Sequence, residues 1–233
     1  MIEETDFETF LFISKNKCQI FVYDKKNLKN FYNDEIMIND GIELDILSNF
    51  IDENIYKIEK KLNNFIRNII LIIEDDKVLE VGISIKKKNY EKNIYQKHLE
   101  NSLVEVKDVF RENYQDKIIM HMIIVNNDKN ENNFQLHNVN NNNNDDYLFL
   151  EVNFISIPNN LSSYFYKLLE KHQIKITRYM SGNYIKSYFG DDATELSLKA
   201  IKINNGLNKN EVQLVSKSKE NKGFFEKFFQ LFG

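Results

Sequence analysis

Four histidines, one cysteine and two adjacent acid pairs are the side chains best suited to catalytic or metal chemistry, and their spacing argues against both. His98, His121, His137 and His172 lie far apart, and none stands at ligand spacing from another histidine or from Cys18. Cys18 sits in the strand-like run KNKCQIFVYD, where a buried small hydrophobe is expected rather than a nucleophile. Asp75-Asp76 and Asp191-Asp192 fall at element ends, where turn chemistry or helix capping accounts for them better than acid–base work. No nucleophile-elbow pattern occurs, and no Gly-x-Gly pair that could cradle a phosphate. The expectation is therefore no catalytic residue, no metal and no enzyme.

A different chemistry is written at the carboxyl end. In NKGFFEKFFQLFG (221–233), Phe224, Phe225, Phe228, Phe229, Leu231 and Phe232 cover an arc of roughly 160° on a helical wheel. Glu226, Lys227 and Gln230 face the other way. The preceding VSKSKENK (215–222) is polar and carries Lys217, Lys219 and Lys222 against Glu220. An aromatic amphipathic helix behind a basic linker is the pattern of an interfacial lipid anchor, with Lys222 and Lys227 beside the rings. A terminal helix docked on its own domain is the alternative. Full burial of six such side chains would yield ~9–18 kcal/mol, against an ordering cost on the order of 10 kcal/mol for ten residues. One tail alone is then a reversible anchor, and several on one assembly hold by avidity.

The elements that must position these groups follow from periodicity. The chain has 233 residues, 42% hydrophobic and 13% aromatic, enough for one large domain or two small ones. Its charge of −4 and pI near 5.7 exclude a general nucleic-acid binder. A single cysteine excludes an internal disulfide and fits a reducing cytoplasm, no signal peptide is visible, and no run reaches ~18 apolar residues. FLFIS (10–14), CQIFVYD (18–24) and LKNFYNDEIMI (28–38) read as three strands. Helical spacing from Leu44 through Ile66 predicts a helix of about six turns, followed by a strand at NIILIIEDD (68–76). Strands are expected at 78–88, 117–127, 147–157 and 173–180. Helices are expected at about 93–112, at 161–172 capped by Asn159 or Asn160, at 182–189 and at 192–203. The Asn-rich loop 137–146 has no packing power. This order is that of a compact module, about 78–176, inserted in a larger α/β host.

The stretch LEVNFISIPNNLSSYFYKLLEKHQIKITRYMSGNYIKSYF (150–189) resembles FtsA, the bacterial actin-like cell-division family. Leu168, Leu169, Glu170, Ile174, Ile176 and the re-entry SGNYIKSYF occupy the places where that family's inserted domain ends and the host resumes. INDGIELDIL (38–47) is similar to the opening of the host's first long helix, and VKDVFRENYQDKIIMHMIIVNN (106–127) to the insert's helix and next strand. A C-terminal amphipathic helix on a linker is a further point of likeness. The resemblance implies an α+β chain: a partial actin-like (ribonuclease H-like) α/β subdomain with an inserted strand–helix–strand–strand domain and a C-terminal amphipathic helix. Its parts would be 1–77 and 177–213 for the host, 78–176 for the insert, 214–223 for the linker and 224–233 for the membrane-targeting helix.

The departures limit what carries over. The family's first phosphate loop holds an acid and a glycine; here FISKNKCQI (12–20) offers Ser14, Lys15, Asn16 and Lys17 instead. The two lysines could attract phosphate, but a hairpin turn accounts for them. A full member is nearly twice as long, and the second phosphate loop and the adenosine motif have no counterpart. ATP binding and hydrolysis are not expected. The half that the family uses for FtsZ is also absent, so a direct FtsZ contact is not implied. The resemblance implies a non-catalytic scaffold on the cytoplasmic face of the inner membrane, at midcell, meeting lipid through its tail and other divisome proteins or FtsA-like subunits through its insert. The basic run KKKNYEK (86–92) is either a solvated turn or part of such a contact. A diverged actin-like ATPase, and an interaction module outside division, are the alternatives.

Overall fold

The computed structural model describes residues 6–38, 44–88, 95–125 and 147–212. Two apolar runs joined by a short polar turn form a hairpin of β1 (Phe7–Ile13) and β2 (Lys17–Asp24), to which β3 (Lys29–Met37) adds antiparallel. Helix α1 (Leu44–Leu62) then crosses the sheet so that β4 (Asn68–Ile73) lies parallel to β1, with Phe10 opposite Ile70. Much later in the chain, β8 (Lys175–Ser181) lies parallel to β4, with Asn68 opposite Lys175. The sheet order is β3-β2-β1-β4-β8. Central parallel strands are covered on both faces, which is why FLFI and IILII are continuous apolar runs rather than alternating ones.

Between β4 and β8 a second, antiparallel sheet is built. Strands β5 (Leu79–Lys88), β6 (Lys117–Ile124) and β7 (Tyr147–Pro158) are ordered β5-β7-β6, with α2 (Tyr95–Asn113) against them. Val106 and Phe110 of α2 pack on Met122, Ile124, Leu150, Val152 and Phe154 to give this unit its own core. Phe110 stacks on Phe154 at 4.6 Å between ring centroids.

Three expectations are corrected. The insert ends at Pro158, not at 176: α3 (Asn159–Glu170) sends Phe165 and Leu169 into the host core together with Ile174, and β8 belongs to the host sheet. Helix α1 stops at Leu62, short of Ile66, because Asn63 turns left-handed at φ 49°. The apolar spacing overran that stop: Phe65 is 75% exposed, while Ile66 is buried with its N–H donating to Glu59 Oε1 at 3.0 Å. Neither asparagine caps α3. Pro158 holds the cap position without a side-chain bond, and Asn159 Nδ2 donates instead to the Gln115 carbonyl at 3.2 Å. The last helices are α4 (Gly182–Phe189), capped by Ser181 Oγ on the Tyr184 N–H at 3.2 Å, and α5 (Leu196–Asn204).

Candidate functional site

In a sheet with parallel strands, ligands approach the carboxyl ends of those strands. Here that edge comprises the turn after β1 (Ser14, Lys15, Asn16), the acids after β4 (Glu74, Asp75, Asp76) and the start of α4 at Gly182. The structure brings Ser14, Lys15, Asn16 and Lys17 together as a closed hairpin turn. Ser14 N–H donates to the Lys17 carbonyl at 2.8 Å, and its hydroxyl reaches the same carbonyl at 3.2 Å. Lys15 is paired with Asp76, whose hydrogen bond and charge hold the ammonium above its ordinary pKa. Lys17 pairs with Glu35 at 2.6 Å, and Lys186 of α4 with Glu74 at 2.5 Å, its ammonium 5.7 Å from the centre of the Phe12 ring. Three lysines thus stand among four carboxylates, Glu35, Glu74, Asp75 and Asp76. A phosphate arriving here would have to break ion pairs and then face the acids released. The edge is also tightly closed. A Cβ at Gly182 would lie 3.2 Å from both Glu74 Cβ and the Phe12 ring.

The remaining chemistry-bearing groups resolve locally. Asp75 accepts the Lys77 N–H at 2.8 Å, and Asp192 accepts both the N–H and the hydroxyl of Thr194, which holds its carboxyl below the ordinary range. Burial pushes the Cys18 thiol up to about 12, so it is an inert core group. His172 Nε2 meets Asp52 Oδ1 at 2.6 Å, and Lys171 joins the same carboxylate, tying the end of α3 to α1. In the basic run, Lys87 pairs with Glu105 of α2. Among the described residues no group of three or more metal-ligating side chains converges. His137, the His98 side chain, Lys222, Lys227 and the aromatic residues 224–232 lie outside the described residues.

A polar cluster that the sequence reading did not single out lies where the two sheets meet. His121, fully buried on β6, is immediately preceded by a change of register against β7 (a β-bulge between Ile119 and His121), with Met120 in the host core and Met122 in the insert's own core. Its Nε2 accepts the Ser181 N–H at 2.8 Å, so the proton is on Nδ1, which donates to Glu211 Oε1 at 2.7 Å. Arg178 of β8 donates to the same oxygen at 2.6 Å, and the Tyr184 hydroxyl reaches Glu211 Oε2 at 3.4 Å. Burial holds the imidazole below its ordinary pKa, although the hydrogen bond and charge of Glu211 pull the other way. A histidine within the apolar run KIIMHMII was the available signal, because a polar group there must find partners.

No family model matches the chain, and no curated protein matches it in sequence. Solved structures do share its outline. The cytoplasmic domain of EpsL, an inner-membrane component of the type II secretion system of Vibrio cholerae, matches at 7% identity over 77% of this chain and 57% of that one, with a TM-score of 0.37. A Bacteroides thetaiotaomicron protein with an actin-like ATPase fold and unknown function matches at 12% identity over 81% of this chain and 58% of that one, TM-score 0.36. A PilM–PilN type IV pilus biogenesis complex gives 9% identity over 78% of this chain and 49% of that one, TM-score 0.44. The chain therefore spans between 49% and 58% of the length of these structures. The strand order decides the architecture. The fold is α+β, with three antiparallel strands, then two strands parallel to the first, helices across the sheet, and an insert between β4 and α3, an order consistent with the partial actin-like subdomain that the sequence led one to expect.

Proposed function

We propose that this chain is a non-enzymatic adaptor of the actin-like kind that works at the cytoplasmic face of a membrane. The observation that carries the reading is the closed edge at β1, β4 and β8. Where an actin-like nucleotide would need open backbone amides and an acid for its metal, this chain has a turn closed on itself and lysines already matched to carboxylates. Thermal unfolding with and without ATP and magnesium tests it, since a ligand of the native state raises the melting temperature. An unchanged melting temperature is expected; a clear rise would return the chain to the nucleotide-dependent enzymes.

The finer reading is a cell-division scaffold similar to FtsA, held on lipid by Phe224, Phe225, Phe228, Phe229, Leu231 and Phe232 and by the basic Lys222 and Lys227. Sequence supports this part: the aromatic arc, the basic linker and the resemblance over 150–189. Among the described residues no helix is long and apolar enough to cross a membrane, and the amphipathic segment is the attachment proposed here. Co-sedimentation with anionic liposomes should pellet the full chain and leave a chain ending at Val215 in solution. A fluorescent fusion tagged at the amino terminus should gather at midcell. Gathering elsewhere on the envelope would assign the adaptor to another envelope assembly, and a diffuse signal would remove the membrane claim.

A further inference from the structure

The outer edge of β6 is covered by the chain's own residues 208–212. Among the described residues, backbone hydrogen bonds join them to β6 from the Ile124 N–H to the Asn210 carbonyl at 2.9 Å and from the Val212 N–H to the Met122 carbonyl at 2.8 Å. Between them lies a single bridge, Ile123 to Glu211. Val212 adds apolar contact with the insert's core and Asn208 a side-chain bond to Tyr184, and the charged part of the attachment is the Glu211 carboxylate. Its seat is built by other parts of the chain, and two of its members are fixed without it. His121 is held by the Ser181 N–H at 2.8 Å, and Arg178 Nη1 donates to Asn204 Oδ1 at 3.0 Å. Tyr184 completes the seat, leaning on Asn208 Nδ2 at 2.8 Å. Beside Arg178 a cleft of about 400 Å³ opens, with Ile70, Ile119, Met120 and Tyr179 in its wall.

This arrangement has the parts of a strand-addition site already in use: a sheet edge, a recess of mixed polar and apolar lining, and a preformed place for one acidic side chain. We propose that residues 208–212 are a displaceable strap, and that the β6 edge with its carboxylate seat docks an extended segment of a partner protein carrying Glu or Asp at the position of Glu211. Charge names the occupant. Removing the strap takes from the Arg178 guanidinium and the His121 N–H the carboxylate they share, which a neutral peptide would not replace. The proposal concerns the seam between the sheets and does not depend on the membrane reading.

Fluorescence polarisation with a labelled peptide of the strap sequence, NGLNKNEV (205–212), tests it on the full chain. The Glu211→Ala chain should bind this peptide at least about tenfold more tightly than the natural chain, whose own strap competes. Replacing the peptide's glutamate by glutamine should weaken binding by about tenfold or more. Amide hydrogen exchange on the natural chain decides the matter if Glu211→Ala does not fold. The Ile124 and Val212 amides should exchange well before those of Val152 and Phe154 in the central strand β7. Absence of binding to a folded Glu211→Ala chain, binding indifferent to the glutamate, or strap amides that open only with global unfolding would each overturn the proposal.

Discussion

The molecule uses the same pairing, cation to carboxylate, in two places with opposite surroundings. At the edge beyond β1 and β4 the pairs are wet: Lys15 and Asp76 are 64% and 79% exposed. At the seam the pair is mostly buried, with Arg178 at 20% and Glu211 at 3%. Water decides what each pair does. An exposed pair gains little beyond the solvation it gives up, so the edge pairs set the sign of the local charge rather than the stability of the fold. A buried pair contributes little net stability when complete but costs much when broken, because the surviving charge has no water to turn to. The edge ions thus bear on the local charge, and the seam ions on what holds the parts together.

The largest expected difference is at the seam. Glu211→Ala should lower unfolding free energy by about 3–5 kcal/mol in urea denaturation, because it strands Arg178 and the His121 N–H together. A loss well under 1 kcal/mol would mean that the seam is wet in solution and would abolish the contrast. Next comes a buried but uncharged bond, which separates burial from charge. The Tyr32 hydroxyl donates to Asn54 Oδ1 at 2.6 Å beneath α1, and Tyr32→Phe should cost about 1–3 kcal/mol by leaving that oxygen unpaired. A loss equal to that of Glu211→Ala would show that burial alone matters. Acid gives the third comparison. The His121 imidazole is uncharged in the fold, its pKa lowered, whereas in the unfolded chain it takes up a proton below about pH 6.5. Its contribution is therefore complete above that pH and is lost as pH falls. Glu211, Arg178, Tyr184 and Glu80 are the charged and titratable groups around it, and His121→Gln should flatten the acid limb of a stability–pH profile measured between pH 7 and 5. The smallest effect belongs to the edge. Lys186→Ala should change stability by no more than about 1 kcal/mol, and less in high salt.

How far the sequence foretold this depends on whether a feature is local. The hairpin of β1 and β2 was legible because FLFIS and CQIFVYD flank a turn with no apolar residue. The long helix was legible from the spacing of Leu47, Ile51, Ile55 and Ile58, though not its end, since Asn63 turns the chain while Ile66 still keeps to the core side. The candidate edge was legible in part: Lys15 and Lys17 were visible as turn residues, but their partners are Asp76, beyond the end of β4, and Glu35 of β3. The seam showed only its histidine, within the apolar run KIIMHMII, and its partners were hidden for the same reason in stronger form. His121, Arg178 and Glu211 are distant in sequence, and only the packing of one sheet on the other brings them within hydrogen-bond reach. The boundary of the insert was misplaced because α3 reads the same as a helix of either unit. Its side chains show which core it serves only when Phe165 and Leu169 are seen against the host strands.

The parallel neighbours β4 and β8 impose an order of events on the nascent chain. Asn68 waits for Lys175, and the whole insert lies between them. Closing a slack loop of roughly a hundred residues would be slow and entropically unfavourable. A loop already gathered into its own small β-sheet presents its two ends side by side. The insert thus acts as an internal jig for its host, and a lesion in its packing, at Phe110 or Phe154 for instance, should slow the refolding of a sheet to which neither residue belongs.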